Sequence, residues 1–505
     1  MNRAVASILL SLALASVASA KDLIGVYEDA TQNDPQIRAA DANRLAQREA
    51  RPQAWAALLP QVTGSAAWTK DRTDGTESSA FFFPLIQPPV GLGFSTSSTI
   101  KRYGLNLQQS VFSWSNLMTL KEAASEVAQA EANYHAAEQS LMLRVSQAYF
   151  NVLTAEDNLD ANQASLEAIS RQLDQANKRF EVGLIAITDV EEAKAARDTA
   201  AAAVIAAKRT LATTGYQLSE ITGQQYDALA KPGDNMPLNN PEPASEDQWV
   251  QVSLDQNLTL VASRLAADIA RQNVKVQFGG HLPEVSFVAG RTHNDTVENE
   301  HFANLSFPQP TTTTDKQFGL QVTVPIFSGG LTQSRVRQAQ YQWIAAKETV
   351  VQNSRATERQ ARDAYLGVIS GIAQVQGLRQ ALESDQTALK ATEAGYEVGT
   401  RTSVDVLNAR QKLVQGQTEY ARSRYDYLLS VIQLRLAAGT LSRKDLEELN
   451  QPLNVRGPTT PAAPLAPAPN SGITAPAPED VPPAPPPANP ASPTTQPPAQ
   501  PATQR

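Results

Sequence analysis

The sequence predicts an α+β protein made of two internal repeats, each with short two-faced strands followed by two long helices. Two spans without proline, Val90 to Lys231 and Ile326 to Gln451, leave room for helices of many turns. Apolar and polar residues alternate in four short segments, as they do in strands with one apolar face. The same order of features occurs in both halves of the chain, which indicates a duplicated unit.

The composition excludes several classes of function. The chain has 505 residues, of which 42% are hydrophobic, so it can bury a substantial core. It has no cysteine, which excludes disulfides, thiolate catalysis and cysteine-bound metals. The net charge is −8 and the basic residues are interspersed with acids, so no nucleic-acid partner is expected. The four histidines lack metal-ligand spacing and no catalytic motif occurs, so we predict no enzyme, cofactor or metal.

The two ends of the chain differ from the part between them. Residues 1–20 have the features of a secretory signal, with Arg3, an apolar run from Ile8 to Val17, and a small-residue cleavage site that ends at Ala20. That run is shorter than the roughly 20 residues that a membrane helix needs. Residues 458–505 are dominated by proline, alanine, threonine and serine, and we predict a disordered tail.

The first proline-free span carries an apolar stripe at steps of three and four residues, which is the spacing of one helix face. The stripe predicts a helix from about Asn116 to Glu181, roughly 100 Å long at about 1.5 Å per residue. Alanine is frequent on it, so neighbouring helices can approach closely. The stripe comprises Leu120, Ala123, Val127, Ala130, Tyr134, Ala137, Leu141, Val145, Ala148 and Val152.

Four short segments have the period of two that predicts strands. One apolar and one polar face fits lipid outside and water inside, and it fits equally the half-exposed sheet of a soluble protein. The polar segments Lys70–Ser98 and Thr292–Thr314 are predicted to be long loops. Four strands cannot close a barrel with a useful bore, whereas three copies would supply about twelve. The predicted strands are Val62–Thr69, Arg102–Val111, Val285–Ala289 and Gln317–Ile326.

The repeat and its turns resemble the TolC family of outer-membrane efflux proteins over about Asp22 to Gln451. The resemblance implies a homotrimer in which a transmembrane β-barrel in outer-membrane lipid is continued by a long periplasmic α-helical barrel. It implies an exit duct that serves efflux or type I secretion with a periplasmic adaptor and an inner-membrane transporter of the ABC or RND type. The residues that carry it are Arg179–Val190, Gly395–Leu407, Pro325–Gly330, Leu59-Pro60 and Leu282-Pro283.

These observations together divide the chain into six segments. Matched positions at a constant offset, such as Gly183 with Gly399 and Gly223 with Gly439, define the two repeats. The resemblance implies that an equatorial region surrounds the helical barrel. The segments are 1–20, signal peptide; 21–230, first repeat; 231–256, linker or equatorial region; 257–441, second repeat; 442–457, C-terminal equatorial segment; and 458–505, disordered tail.

The resemblance implies that the two turn motifs form a gate at the periplasmic tip. Thr188 and Asp189 would meet Tyr396 and Arg401 in a network that ties helices within and between protomers. The guanidinium of Arg401 supplies several donors, and the carboxylate of Asp189 accepts them.

The same residues also fit ordinary helix caps. Thr188 with Glu191 has the spacing of a capping box, and Asp189 in a first helical turn suits the helix dipole. Thr402 or Ser403 would equally cap the last long helix. Capping and gating both remain open at this point, and one group can serve both.

The resemblance further implies that Asp405 faces the pore axis, where three-fold symmetry would make a carboxylate ring that attracts cations. The family has a second pore-facing aspartate one helical turn further on, and this chain has Asn408 there. One acidic ring in place of two predicts weaker cation block of the closed pore.

Two other functions are compatible with the residues alone. A periplasmic adaptor with long coiled-coil hairpins would have no amphipathic strands and would dissolve without detergent or sit at the inner membrane. A structural surface protein would form no pore. The residues do not specify the transported substrates or the particular transporter.

Overall fold

A computed structural model gives the fold and describes residues 20–78, 91–233, 236–302 and 305–451. The predicted signal peptide up to residue 19 and the predicted tail lie outside the described residues. The elements are α1 (Leu23–Asn33), α2 (Pro35–Arg48), α3 (Ala50–Ala56), β1 (Gln61–Ser78), β2 (Gly91–Phe112), α4 (Trp114–Glu181), α5 (Ile187–Thr222), α6 (Glu246–Gln256), α7 (Leu258–Phe278), β3 (Glu284–Phe302), β4 (Leu305–Thr323), α8 (Leu331–Glu397), α9 (Ser403–Ala437) and α10 (Arg443–Asn450).

The long helices occur where the proline-free spans predict them. α4 has 68 residues and α8 has 67, so each is about 100 Å long at ~1.5 Å per residue. α4 ends at the predicted Glu181 and begins two residues before the predicted Asn116, because the Ser113 hydroxyl accepts the Asn116 N–H and caps the helix. None of the described helices is both long and apolar enough to cross a bilayer.

The second half of the chain repeats the elements of the first. Two strands, a long helix and a shorter helix follow one another as β1, β2, α4, α5 and as β3, β4, α8, α9. The predicted linker 231–256 contains α6, which has 11 residues like α1 in the first half. α6 thus lies within the predicted linker or equatorial region, and the bounds of the predicted segments stay a prediction.

The described strands form one antiparallel sheet in the order β1–β2–β3–β4, so the β2–β3 pair joins the two halves. Residues directly opposite each other share a face of an antiparallel sheet. The registers therefore align side chains of all four strands in rows that are alternately apolar and polar near the helices. One row contains Val62, Leu107, Ala289 and Phe318, and the adjacent row on the other face contains Thr63, Asn106, Gly290 and Gln317.

The strands are longer than predicted, and the predicted loops Lys70–Ser98 and Thr292–Thr314 are wrong in the described residues. The ladder continues without a break from Gln61 to Ser78 in β1 and from Glu284 to Phe302 in β3. These segments are rich in threonine, a β-branched residue that favours strands. Strands of 18 to 22 residues exceed the roughly 9–11 that cross a bilayer, so they extend beyond the apolar rows.

The largest hydrophobic cluster lies around the middle of α4 and the second half of α9, where α1, α10 and the segment after α5 pack. Tyr149 and Phe150 of α4 and Ile432 of α9 are fully buried there. Tyr149 Oη donates to the Ala230 carbonyl at 2.6 Å, and Phe150 stacks on Tyr425 with 5.7 Å between ring centroids. This equatorial cluster fixes the helices to one another midway along their length.

Residues 226–233, which we call the strap, follow α5 and are held on the cluster by charged groups. The Lys231 ammonium lies 3.4 Å, 3.0 Å and 3.4 Å from the carboxylates of Glu156, Asp157 and Asp160 on α4. On the other side, Arg424 of α9 donates to main-chain carbonyls at the end of the strap. The strap thus connects α4 with α9 and with the N-terminal segment.

Glu156 is the buried carboxylate of this cluster. Its side chain is 7% exposed, and its Oε2 has no hydrogen-bond partner. Burial raises the pKa of the Glu156 carboxyl to about 7, although the Lys231 charge opposes this. Between about pH 4.3, the pKa of an unfolded glutamate, and about pH 7, Glu156 is therefore protonated in the folded chain and ionised in the unfolded chain. Its contribution to the free energy of unfolding is complete below about pH 4.3 and is lost as pH rises through about 7.

Glu156→Gln is expected to remove this pH dependence, because the amide is neutral at every pH. The reporter is hydrogen exchange at the Ala230 amide, which donates to the Lys21 carbonyl at 3.0 Å. In the unsubstituted chain, the free energy of opening at the Ala230 amide is obtained from the exchange rate after correction for the intrinsic rate. It should fall by roughly 1–3 kcal/mol between about pH 5 and about pH 8. Asp160→Asn removes a more exposed partner of the same lysine and should keep the pH dependence. Protection that is constant with pH in the unsubstituted chain would contradict the assignment.

Candidate functional site at the paired helix turns

Both long helix pairs reverse through the same glycine-based cap. Gly183 after α4 and Gly399 after α8 have φ of 76° and 78°, in the left-handed region that favours glycine. The Gly183 N–H donates to the Phe180 carbonyl at 2.8 Å, and the Leu184 N–H donates to the Arg179 carbonyl at 2.9 Å. These bonds satisfy carbonyls at the helix end, so the chain turns back within a few residues.

The two turns contact each other through side chains of both hairpins. The buried Ser403 Oγ lies 3.3 Å from Asp189 Oδ1 and 3.4 Å from Glu192 Oε2. The Arg179 guanidinium lies over the Tyr396 ring at 5.4 Å from its centroid, which is a cation–π contact. The start of α5 is thereby joined to the start of α9, and the end of α4 to the end of α8.

The structure brings the four predicted network residues to these turns, and within the described part of one chain no hydrogen bond, ion pair or cation–π contact joins any of them directly to another of the four. Asp189 lies in the first turn of α5 and accepts from Ser403. Among the described residues, no hydrogen bond or ion pair links Asp189 with Arg401. Thr188 and Arg401 are exposed, and their side chains have no hydrogen-bond partner in the described part of this chain.

The predicted caps are confirmed at α9 and wrong at α5. Thr402 is the N-cap of α9: its hydroxyl accepts the Asp405 N–H, and the Asp405 carboxylate accepts the Thr402 N–H at 3.0 Å. Thr188 and Glu191 form no capping box, because α5 begins earlier and its N-cap is Ala186, which has no hydroxyl.

Asp405 stays ionised to lower pH than an ordinary aspartate. The hydrogen bonds from the Thr402 main chain and hydroxyl, and then the Arg401 charge, lower the pKa of its carboxyl. Both of those bonds reach Oδ2, so Oδ1 has no hydrogen bond within the described residues. Asn408, one turn further along α9, is exposed.

The sequence reasoning missed Ser403, Glu192 and Arg179 as partners at the turns. Aligning the two repeats could have indicated this difference. Asp189 aligns with Asp405, whereas the capping Thr402 aligns with Ala186, which has no hydroxyl. Asp189 therefore lacks a hydroxyl at the N-cap position of its helix and accepts from the other hairpin instead. No group of three or more histidine, aspartate or glutamate side chains within the described ranges could hold a metal ion.

Sequence comparison with known proteins decides the family. The family model described as outer membrane efflux protein matches residues 26–224 and 249–440. The chain belongs to this family. It is 35% identical over 442 residues to outer membrane protein TolC of Vibrio cholerae serotype O1, which covers 88% of this chain and 96% of that protein.

Two other relatives extend the comparison. Outer membrane protein TolC of Escherichia coli K12 is 34% identical over 476 residues, which covers 92% of each chain. The alkaline protease secretion protein AprF of Pseudomonas aeruginosa is 28% identical over 440 residues, with 86% of this chain and 88% of that protein covered. These relatives confirm the predicted outer-membrane location and favour the exit duct over the periplasmic adaptor and the structural surface protein.

Solved structures give the same fold. The structure of CusC, described with its transmembrane channel formation, matches with a TM-score of 0.67 at 17% identity and covers 83% of this chain and 92% of that chain. The predicted α+β fold, a sheet continued by long helices, is thereby confirmed.

Replacing Asp405 tests whether its charge acts on ions or only caps α9. Asp405→Ala should weaken block of single channels by divalent cations several-fold, because the carboxylate that attracts them is lost. In the unsubstituted chain, block should persist below about pH 3.9, the ordinary aspartate pKa, because the lowered pKa keeps the group charged. Thr402→Val removes the capping hydroxyl and keeps the charge, so it should retain block. Equal block in all three proteins would leave Asp405 with a capping role alone.

Proposed function

We propose that this chain is the subunit of a homotrimeric exit duct, through which an inner-membrane transporter discharges substrates across the periplasm and the outer membrane. The trimer is inferred from the open edges of the sheet. Within the described residues, β1 and β4 are edge strands of 18 and 19 residues, and the sheet has an apolar face. Membership of the outer membrane efflux protein family supports the proposal.

A bilayer does not tolerate such edges, because unpaired N–H and C=O groups have no water to bind in hydrocarbon. A four-stranded sheet is too narrow to close on itself around a bore. Pairing β4 of one copy with β1 of the next removes every edge, and three sheets of four strands pool twelve. The apolar rows then contact lipid, and the rows with Thr63, Asn106 and Gln317 line water.

A cysteine cross-link tests this arrangement, since the chain contains no cysteine of its own. In the Thr63→Cys/Gln317→Cys variant, β1 and β4 of one chain are separated by two strands, roughly 14 Å at ~4.8 Å per strand. A short bifunctional thiol reagent should therefore join neighbouring copies, and the covalent ladder should stop at three chains. Thr63→Cys alone should give no ladder. A detergent-free monomer, or a ladder that stops at two, would contradict the trimer.

The helix turns form the gate of this duct in our proposal. Contacts within one chain already join the two hairpins, through Asp189 with Ser403 and Arg179 with Tyr396. The exposed Arg401 guanidinium and Thr188 hydroxyl are then available to a neighbouring copy. Three such sets around one axis hold the tip closed until an adaptor and a transporter, of the ABC or RND type, dock there.

Removing these groups should open the isolated trimer. Arg401→Ala and Tyr396→Ala are each expected to raise mean conductance in a planar bilayer, because the charge-assisted bonds proposed for Arg401 and the cation–π contact of Tyr396 with Arg179 are lost. A tenfold rise in the ratio of open to closed channels corresponds to ~1.4 kcal/mol. Arg171→Ala, a change at an exposed arginine of α4, serves as the matched control and should conduct as the unsubstituted protein does. Unchanged conductance in both test variants would show that these residues only pack.

A further inference from the structure

Ser403 has a hydroxyl that its own helix does not need. The N-cap of α9 is Thr402, and the box that it forms with Asp405 satisfies the first turn. Ser403 is nevertheless 4% exposed, whereas Ile187, its counterpart at the repeat offset, is 50% exposed. The Ser403 side chain is therefore committed to the contact with α5.

Two carboxylates compete for that single hydroxyl. Asp189 Oδ1 and Glu192 Oε2 lie 3.3 Å and 3.4 Å from Ser403 Oγ. A serine hydroxyl carries one proton and donates to one acceptor at a time. Asp189 and Glu192 are three residues apart on α5, so they share a face and like charges there repel. Within the described residues, neither carboxylate has an ion-pair partner, whereas the adjacent Glu191 lies 3.8 Å from Lys194.

We propose that Ser403 is a positioning residue of the closed tip and that Glu192 opposes it. The Ser403 hydroxyl holds α9 against α5 through Asp189. The second carboxylate, which the same proton cannot serve, destabilises that arrangement and leaves the closed state easy to open. This inference rests on the proposed gate and adds a contact within each protomer to the contacts proposed between protomers.

Substitutions of Ser403 and Glu192 are expected to change the ratio of open to closed channels in opposite directions. A role in packing alone does not predict this. Ser403→Ala should raise the ratio of open to closed channels about tenfold, as expected when a hydrogen bond to a charged group of ~1.4 kcal/mol is lost. Glu192→Gln should lower the ratio several-fold, because the like charge disappears and the new amide can donate to Asp189. Glu191→Gln is the matched control, since it removes the same charge from a neighbouring position away from Ser403.

Planar-bilayer recordings of the whole trimer measure these ratios. Ser403→Ala is recorded in the unsubstituted background, and Glu192→Gln and Glu191→Gln in the Arg401→Ala background, where a fall in conductance is easier to detect. The double variant Ser403→Ala/Glu192→Gln should show coupling, so that the effect of Glu192→Gln is much smaller without the hydroxyl. Should Ser403→Ala fail to assemble, a fall in conductance with Glu192→Gln and none with Glu191→Gln still decides the question.

The outcomes separate the inference from the function on which it rests. If no variant forms channels, the proposed duct is wrong. If Arg401→Ala conducts more but Ser403→Ala and Glu192→Gln change nothing, the gate stands and the inference fails. If Glu192→Gln and Glu191→Gln lower conductance equally, the general charge of the tip acts and Ser403 does not select between carboxylates.

Discussion

The requirement that every main-chain N–H and C=O group in hydrocarbon be paired governs the rest of this structure. The described sheet meets it internally at three strand pairs and leaves the outer edges of β1 and β4 unpaired within the chain. In the proposed trimer, pairing between copies removes these edges and places the helices of each copy around a common axis. A side chain repeated around that axis becomes a ring, which gives the turns and the acidic groups their proposed roles.

The two internal repeats of the chain have the same backbone at their helix turns, but their side chains make different contacts there. The turns after α4 and α8 share a left-handed glycine and the same caps. At the following helix start, Asp405 bonds its own capping threonine, whereas Asp189 faces alanine at that position and bonds the other hairpin. The loss of one hydroxyl therefore changes a local cap into a contact between hairpins, with no change in the course of the chain.

The features that repeat along the sequence were predictable, and those set by distant contacts were not. The end of α4 and the presence of all four strands follow from proline-free spans and from alternation. The strand ends were wrong because the polar residues of Lys70–Ser98 predicted a loop, whereas Asp74 and Gly75 of that segment pair with Ser95 and Phe94 of β2. A ladder of many pairs outweighs one local preference. Ser403 and Asp189 are 214 positions apart, so no local pattern indicates their contact.

Stability is distributed unevenly along the helices, and this distribution suits a gate at their ends. The fully buried aromatic and aliphatic side chains lie at the equatorial cluster, around Tyr149, Phe150 and Ile432. Near the turn between α4 and α5, the buried cluster in the described residues is small: it consists of Ala176, Val190 and Ala193, with the partly buried Leu173 and Ile185 packed against it. Because the free energy of local opening is lower where fewer apolar side chains are buried, we expect the turns to open before the equator does. The charged strap around Lys231 reinforces this difference, because it fastens α4 and α9 where movement would otherwise propagate towards the sheet. In the proposed duct, helices held firmly in the middle and weakly at one end separate at that end while the strands of the barrel stay paired.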